Sequence, residues 1–128
     1  MNAATMPASQ LAMLLADTAG GICAESAAVR LIAAHGHFLH DPDFRRIIAA
    51  GSAASAGSGD PVAVIRWNAA IWALDHGRLT GSPSEKAVLR IAASIAEPGI
   101  PVRLGAHLGS LDRRSIALVT GAITAANG

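Results

Sequence analysis

A chain of 128 residues is sized for one domain with a real core, and its net charge of +1 excludes strong electrostatic steering toward nucleic acid, membrane or acidic substrates. Apolar residues make up 52% of it, yet much of that is alanine, and the aromatic side chains are Phe38, Phe44, Trp67 and Trp72 alone, so the core must be built from Leu, Ile, Val and close Ala contacts. Cys23 is the single cysteine, which excludes an internal disulfide and fits a reducing cytoplasm.

Met1 to Pro7 is expected to fray. Ser9 is a candidate cap for a first helix with Leu11, Leu14 and Leu15 on its apolar face, broken by Gly20-Gly21. No basic residue precedes Arg30, so this apolar run lacks the positive start of a signal peptide, and no run reaches the length of a membrane span. The expected location is the cytoplasm. A second helix is predicted from about Ala24 to His35, with Ala28, Val29, Ile32 and Ala33 at helical spacing and Gly36 as its stop. Asp41-Pro42 opens a short third helix that buries Phe44, Ile47 and Ile48 and turns Arg45 and Arg46 outward.

Residues 51–60, containing GSAASAGSG, read as a Gly/Ser/Ala linker between an N-terminal helical segment, 1–50, and a C-terminal helical bundle, 61–128, within one compact domain overall. Asp60-Pro61 predicts a fourth helix carrying Val64, Trp67, Ile71 and Leu74 on one face, with Ile65 and Trp72 widening it and Asp75-His76-Gly77 closing it. Ser82-Pro83-Ser84-Glu85 is the strongest local signal: an N-cap serine, a proline at the first helical position and a glutamate placed to complete a capping box. Val88, Ile91 and Ile95 follow on one face, and Pro98-Gly99 ends the run. Asp112 opens a last helix with Ile116, Val119 and Ile123 expected in the core. No strand-like alternation persists. The expected fold is all-α, a compact bundle of five to seven short helices.

Three stretches carry candidate chemistry. His35, His37 and His40, with Asp41, are the densest group of metal-type donors, but a helix C-terminus followed by an N-cap accounts for them without a metal, and no metal site is assigned. Gly57-Ser58-Gly59-Asp60 lacks the lysine and spacing of a phosphate loop. The order of helices from Pro83 to Ala126, turning at Gly109-Ser110, is that of a helix-turn-helix module, which would place Arg103, Arg113, Arg114 and Ser115 against DNA. No pair of carboxylates stands out for acid–base work, and no cofactor is expected.

Residues 67–128 resemble a group of small, uncharacterised actinobacterial proteins. The resemblance rests on Leu74-Asp75-His76-Gly77-Arg78-Leu79, on Leu89-Arg90-Ile91-Ala92-Ala93-Ser94-Ile95-Ala96, and on Pro101-Val102 and Leu111-Asp112-Arg113-Arg114 before an alanine-rich helix. It implies a bacterial protein and carries over no functional site. The leading expectation is a non-enzymatic helical protein that self-associates as a homodimer or binds a partner protein, with Trp67, Trp72 and Phe44 as interface candidates. A small DNA-binding regulator is the alternative, and an enzyme comes third.

Overall fold

The computed structural model describes residues 2–52 and 59–128. Its order is α1 (Ala8–Ala19), α2 (Cys23–His35), a 3₁₀ turn (Phe38–His40), α3 (Pro42–Arg45), β1 (Ile48–Ser52), β2 (Pro61–Ile65), α4 (Trp67–Asp75), α5 (Pro83–Ala96), α6 (Leu104–Leu108) and α7 (Arg113–Ala126). Helix dominates, as expected, but the fold is not purely all-α, because β1 and β2 form an antiparallel pair with Ile48 opposite Ile65 and Ser52 opposite Pro61. The predicted linker therefore begins as strand at Gly51 and Ser52; residues 53–58 lie outside the described residues.

The fourth helix starts later than predicted. Pro61 opens a strand instead, in the first position, where a missing N–H is tolerated. Ala63 and Ile65 point inward and Val64 outward, which is the two-residue period of a strand. The strand is fastened to α1 by Thr18, whose Oγ1 accepts from the Ala63 N–H at 3.0 Å and donates to the Leu14 carbonyl at 2.8 Å. Ile48, expected at the end of the third helix, belongs to β1, and α3 is a single turn capped by Asp41, whose Oδ1 accepts from the Asp43 N–H at 2.9 Å. Pro7, not Ser9, precedes α1, without a side-chain cap.

At α5 both halves of the capping box form: Ser82 Oγ accepts from the Glu85 N–H at 3.1 Å, and Glu85 Oε1 accepts from the Ser82 N–H at 2.7 Å. Gly36 ends α2 with φ +93°, a conformation that a side chain would strain. Helix α2 lies at the centre and packs most extensively on α7 and α5. Its buried Ala27 and Ala28 allow close approach. Residues of α1, α2, both strands, α4, α5 and α7 share one hydrophobic core, with Phe38 and Phe44 among its largest fully buried side chains. Val88, Ile91, Trp67, Leu74 and Val119 are buried as expected, and Ile71 and Ile95 pack against the core while partly buried. Val64, Ile116 and Ile123 are exposed instead.

Candidate functional site

The segment read as a helix-turn-helix holds three helices in the expected order, α5, α6 and α7. Its four proposed DNA contacts are not placed alike. Arg103, before α6, and Arg113, at the start of α7, are exposed. Arg114 turns back onto α2, donating from Nη2 to the Ala34 carbonyl at 2.6 Å and from Nη1 to the His35 carbonyl at 3.3 Å. It thus satisfies backbone oxygens that the end of a helix leaves without partners. Ser115 is buried, and its Oγ accepts from Ser84 Oγ at 3.2 Å across the α5–α7 contact. Ser115 is therefore buried in the fold, and Arg114, though exposed, has its guanidinium engaged by the end of α2.

The histidine stretch is distributed in the same way. The His37 ring nitrogens contact the Glu85 carboxylate (Nδ1 to Oε2, 3.0 Å) and the Thr80 carbonyl (Nε2, 3.0 Å). The Ser82 backbone N–H in the capping box, with His37 adding to it, holds Glu85 below its ordinary carboxylate range. Burial, then the nearby Arg114 cation, pushes His35 below its ordinary value, and its Nδ1 has no hydrogen-bond partner among the described residues. His40 is exposed. Among the described residues no group of three or more His, Cys, Asp or Glu is placed to hold a metal ion. The three histidines serve the junction of α2 with α5 and α7 or face outward.

The interface candidates separate by burial. Phe44 is buried and packs against Phe38 with ring centroids 5.1 Å apart. Trp67 is 3% exposed, and its Nε1–H is shared by the two oxygens of Glu25 at 3.2 and 3.1 Å. Both lie in the core, where the apolar faces read from the sequence also place them, and neither offers its ring to an exposed interface. Trp72 is 54% exposed, stacked on the His76 ring at 4.0 Å, with the Arg78 guanidinium 5.9 Å from its centroid. Beside it Asp75 accepts from Arg90 at 2.6 Å, joining α4 to α5.

The most distinctive surface is the outer face of α7. The residues that turn inward are Ser115, Val119 and Ala122, while Ile116 and Ile123 stand outward at 43% and 50% exposure. Small inward residues let α7 settle closely against the alanines of α2, which leaves the isoleucines on the far side. From Ser115 to Gly128 the sequence carries no charged side chain. The threonines of that face turn their hydroxyls back, Thr120 donating to the Ile116 carbonyl at 2.8 Å and Thr124 to the Thr120 carbonyl at 3.1 Å. With those protons committed to the helix, the side chains offer mainly their methyl groups outward. Leu104 and Leu108 of α6 are also exposed.

Arg45 and Glu25 were not marked by sequence spacing. Arg45, expected to face outward, donates to the carbonyls of Leu39, Ala3 and Met6. No local pattern signals it, because its partners are backbone atoms distant in the chain. Among the described residues no helix is long and apolar enough to cross a membrane. The chain matches no family model, no curated protein and no solved structure.

Proposed function

We propose that this chain acts by self-association, as a homodimer joined through the outer face of α7, with no chemistry of its own. The observation that carries the reading is the uncharged face of Ile116, Thr120 and Ile123 on a 14-residue helix. Ile116 and Ile123 are about 10 Å apart along the helix axis at 1.5 Å per residue, with Thr120 near their midpoint. A two-fold axis beside Thr120 would place each Ile116 against its partner's Ile123, the reciprocal pattern of an isologous contact. The same antiparallel arrangement would bring Arg113 to the other helix's C-terminal end, where backbone carbonyls favour a cation. A neutral face also meets its own copy without charge repulsion.

The test is the mass in solution, by light scattering across a concentration series. A dimer is expected for the native chain. Ile116→Asp combined with Ile123→Asp should weaken it by about 100-fold or more, since each change sets a carboxylate into an apolar contact. Both side chains are exposed in the single chain, so the variant should keep its fold by circular dichroism. A native chain that stays monomeric at high concentration, or a double variant that dimerises unchanged, sinks the reading.

The DNA-binding alternative keeps one supporting observation, the α5–α6–α7 order with Arg103 and Arg113 outward. Binding to mixed-sequence duplex DNA that weakens steeply with salt, and is lost in Arg103→Ala with Arg113→Ala, would favour it over dimerisation as the function.

A further inference from the structure

A second chemical contrast lies away from α7, in a cavity of about 370 Å³ between the second half of α1, the start of α2, strand β2 and the end of α5. Its volume falls in the range of small-molecule sites. Its walls are mainly apolar, with Leu15, Ile22, Ile65 and Trp67 the bulkiest side chains, and two carboxylates, Glu25 and Glu97, also line it. None of the lining residues is Lys, Arg or His. The carbonyl end of α5, which terminates at Ala96 on the cavity wall, adds partial negative charge of its own.

Glu25 is the informative residue. Trp67 gives it one N–H, shared between both oxygens. A carboxylate has about four acceptor positions, so most of its capacity is left over. A neutral acceptor such as glutamine would also satisfy the indole, by a weaker bond, and would not bring a charge into a half-buried position. Burial, and then the negative charge of Glu97, raise the Glu25 carboxyl above its ordinary range, against the lowering by the Trp67 bond. The fold thus keeps two like charges beside an apolar hollow, at a cost in stability that a bound cation would offset.

We propose that this cavity binds a small organic ammonium ion. Its apolar body would lie against Ile22 and Val64, the exposed apolar residues of the lining, and its cationic group would sit between the Glu25 and Glu97 carboxylates. The requirement for both parts follows from the walls: an inorganic cation leaves the apolar surface wet, and a neutral or anionic ligand leaves the carboxylates uncompensated or repelled.

This inference stands independently of dimerisation. The probes are 2-phenylethylammonium and, as an anion of similar size, 3-phenylpropionate, each titrated calorimetrically into the full chain near neutral pH. Fluorescence of Trp67 in a Trp72→Phe background reports the location. The ammonium should bind and change the Trp67 emission, and the carboxylate should do neither. Glu25→Gln keeps an acceptor for the indole and should weaken ammonium binding by about tenfold or more, with Glu97→Gln weakening it by about two- to fivefold at its more exposed position. Absence of ammonium binding at millimolar concentration, equal binding of the two probes, or a native affinity in both glutamine variants overturns the proposal. Should Glu25→Gln fail to fold, Glu97→Gln and the comparison of probes still decide it.

Discussion

Arg114 donates to the carbonyls of Ala34 and His35, and Arg45 to those of Leu39, Ala3 and Met6. A cation that donates to several backbone oxygens contributes more than a surface ion pair, because the carbonyls it satisfies would otherwise need water inside the fold. Arg45→Ala should therefore lower the unfolding free energy by about 2–4 kcal/mol, against about 1 kcal/mol for Arg114→Ala at its more exposed site, as read by urea denaturation. The two perturbed glutamates make opposite predictions for pH. Glu85 is held below its ordinary value, so its contribution is complete above the unfolded value of 4.5 and is lost as pH falls through the folded one. Glu25 is raised above 4.5, so its contribution favours the fold at low pH and turns against it as pH rises through that window. At neutral pH Glu25→Gln should leave the protein as stable or more stable, and Glu85→Gln less stable, in thermal melts. The roles of Arg45, Arg114 and Glu25 could not be read from the sequence, since each depends on a backbone group or an indole brought from elsewhere in the chain, whereas that of Glu85 is local to its capping box.

Local signals were legible where the chemistry is local. The Ser82–Glu85 capping box, the Asp41 and Asp112 caps and the glycine stop at Gly36 all use partners within a few residues. The β1–β2 pair was hidden for the complementary reason. Ile48-Ala49-Ala50-Gly51-Ser52 has no apolar alternation of its own, and Pro61 after Asp60 carries the same opening as a helix. Only pairing with Ile48 and the anchor from Thr18 settle β2 as a strand. On α7 Val119 is buried as its spacing predicts, but Ile116 and Ile123 were misplaced because periodicity ranks isoleucine above alanine and serine as core, whereas close packing against α2 selects Ser115 and Ala122. Ala122→Leu should consequently destabilise the fold by about 1–3 kcal/mol in chemical denaturation by forcing α7 off α2, while Ile123→Ala should leave the single-chain fold nearly unchanged.

Across the molecule, α2 comes from the first 50 residues, and α5 and α7 from the last 50, yet α2 packs most extensively on those two. The strands repeat the pattern, one from each side of residues 53–58. Unfolding should therefore be a single transition, with Trp67 fluorescence and far-ultraviolet circular dichroism coinciding along a urea gradient. A fragment of residues 61–128 should fail to fold cooperatively, because it would leave Val88, Ile91 and Val119 without α2. Two resolved transitions, or a cooperatively folded fragment, would mean that the two segments are energetically separate.

The arginine ties also bear on how such a sequence can drift. Arg45 and Arg114 recognise main-chain oxygens, which every amino acid supplies alike. The positions they grip, Ala3, Met6, Ala34, His35 and Leu39, are then free of any need to co-vary with them, and answer only to packing and helix formation. A fold stapled in this manner can exchange side chains at its joints while its geometry stays put. Two arginines would keep their identity across descendants whose surrounding text had changed beyond easy recognition.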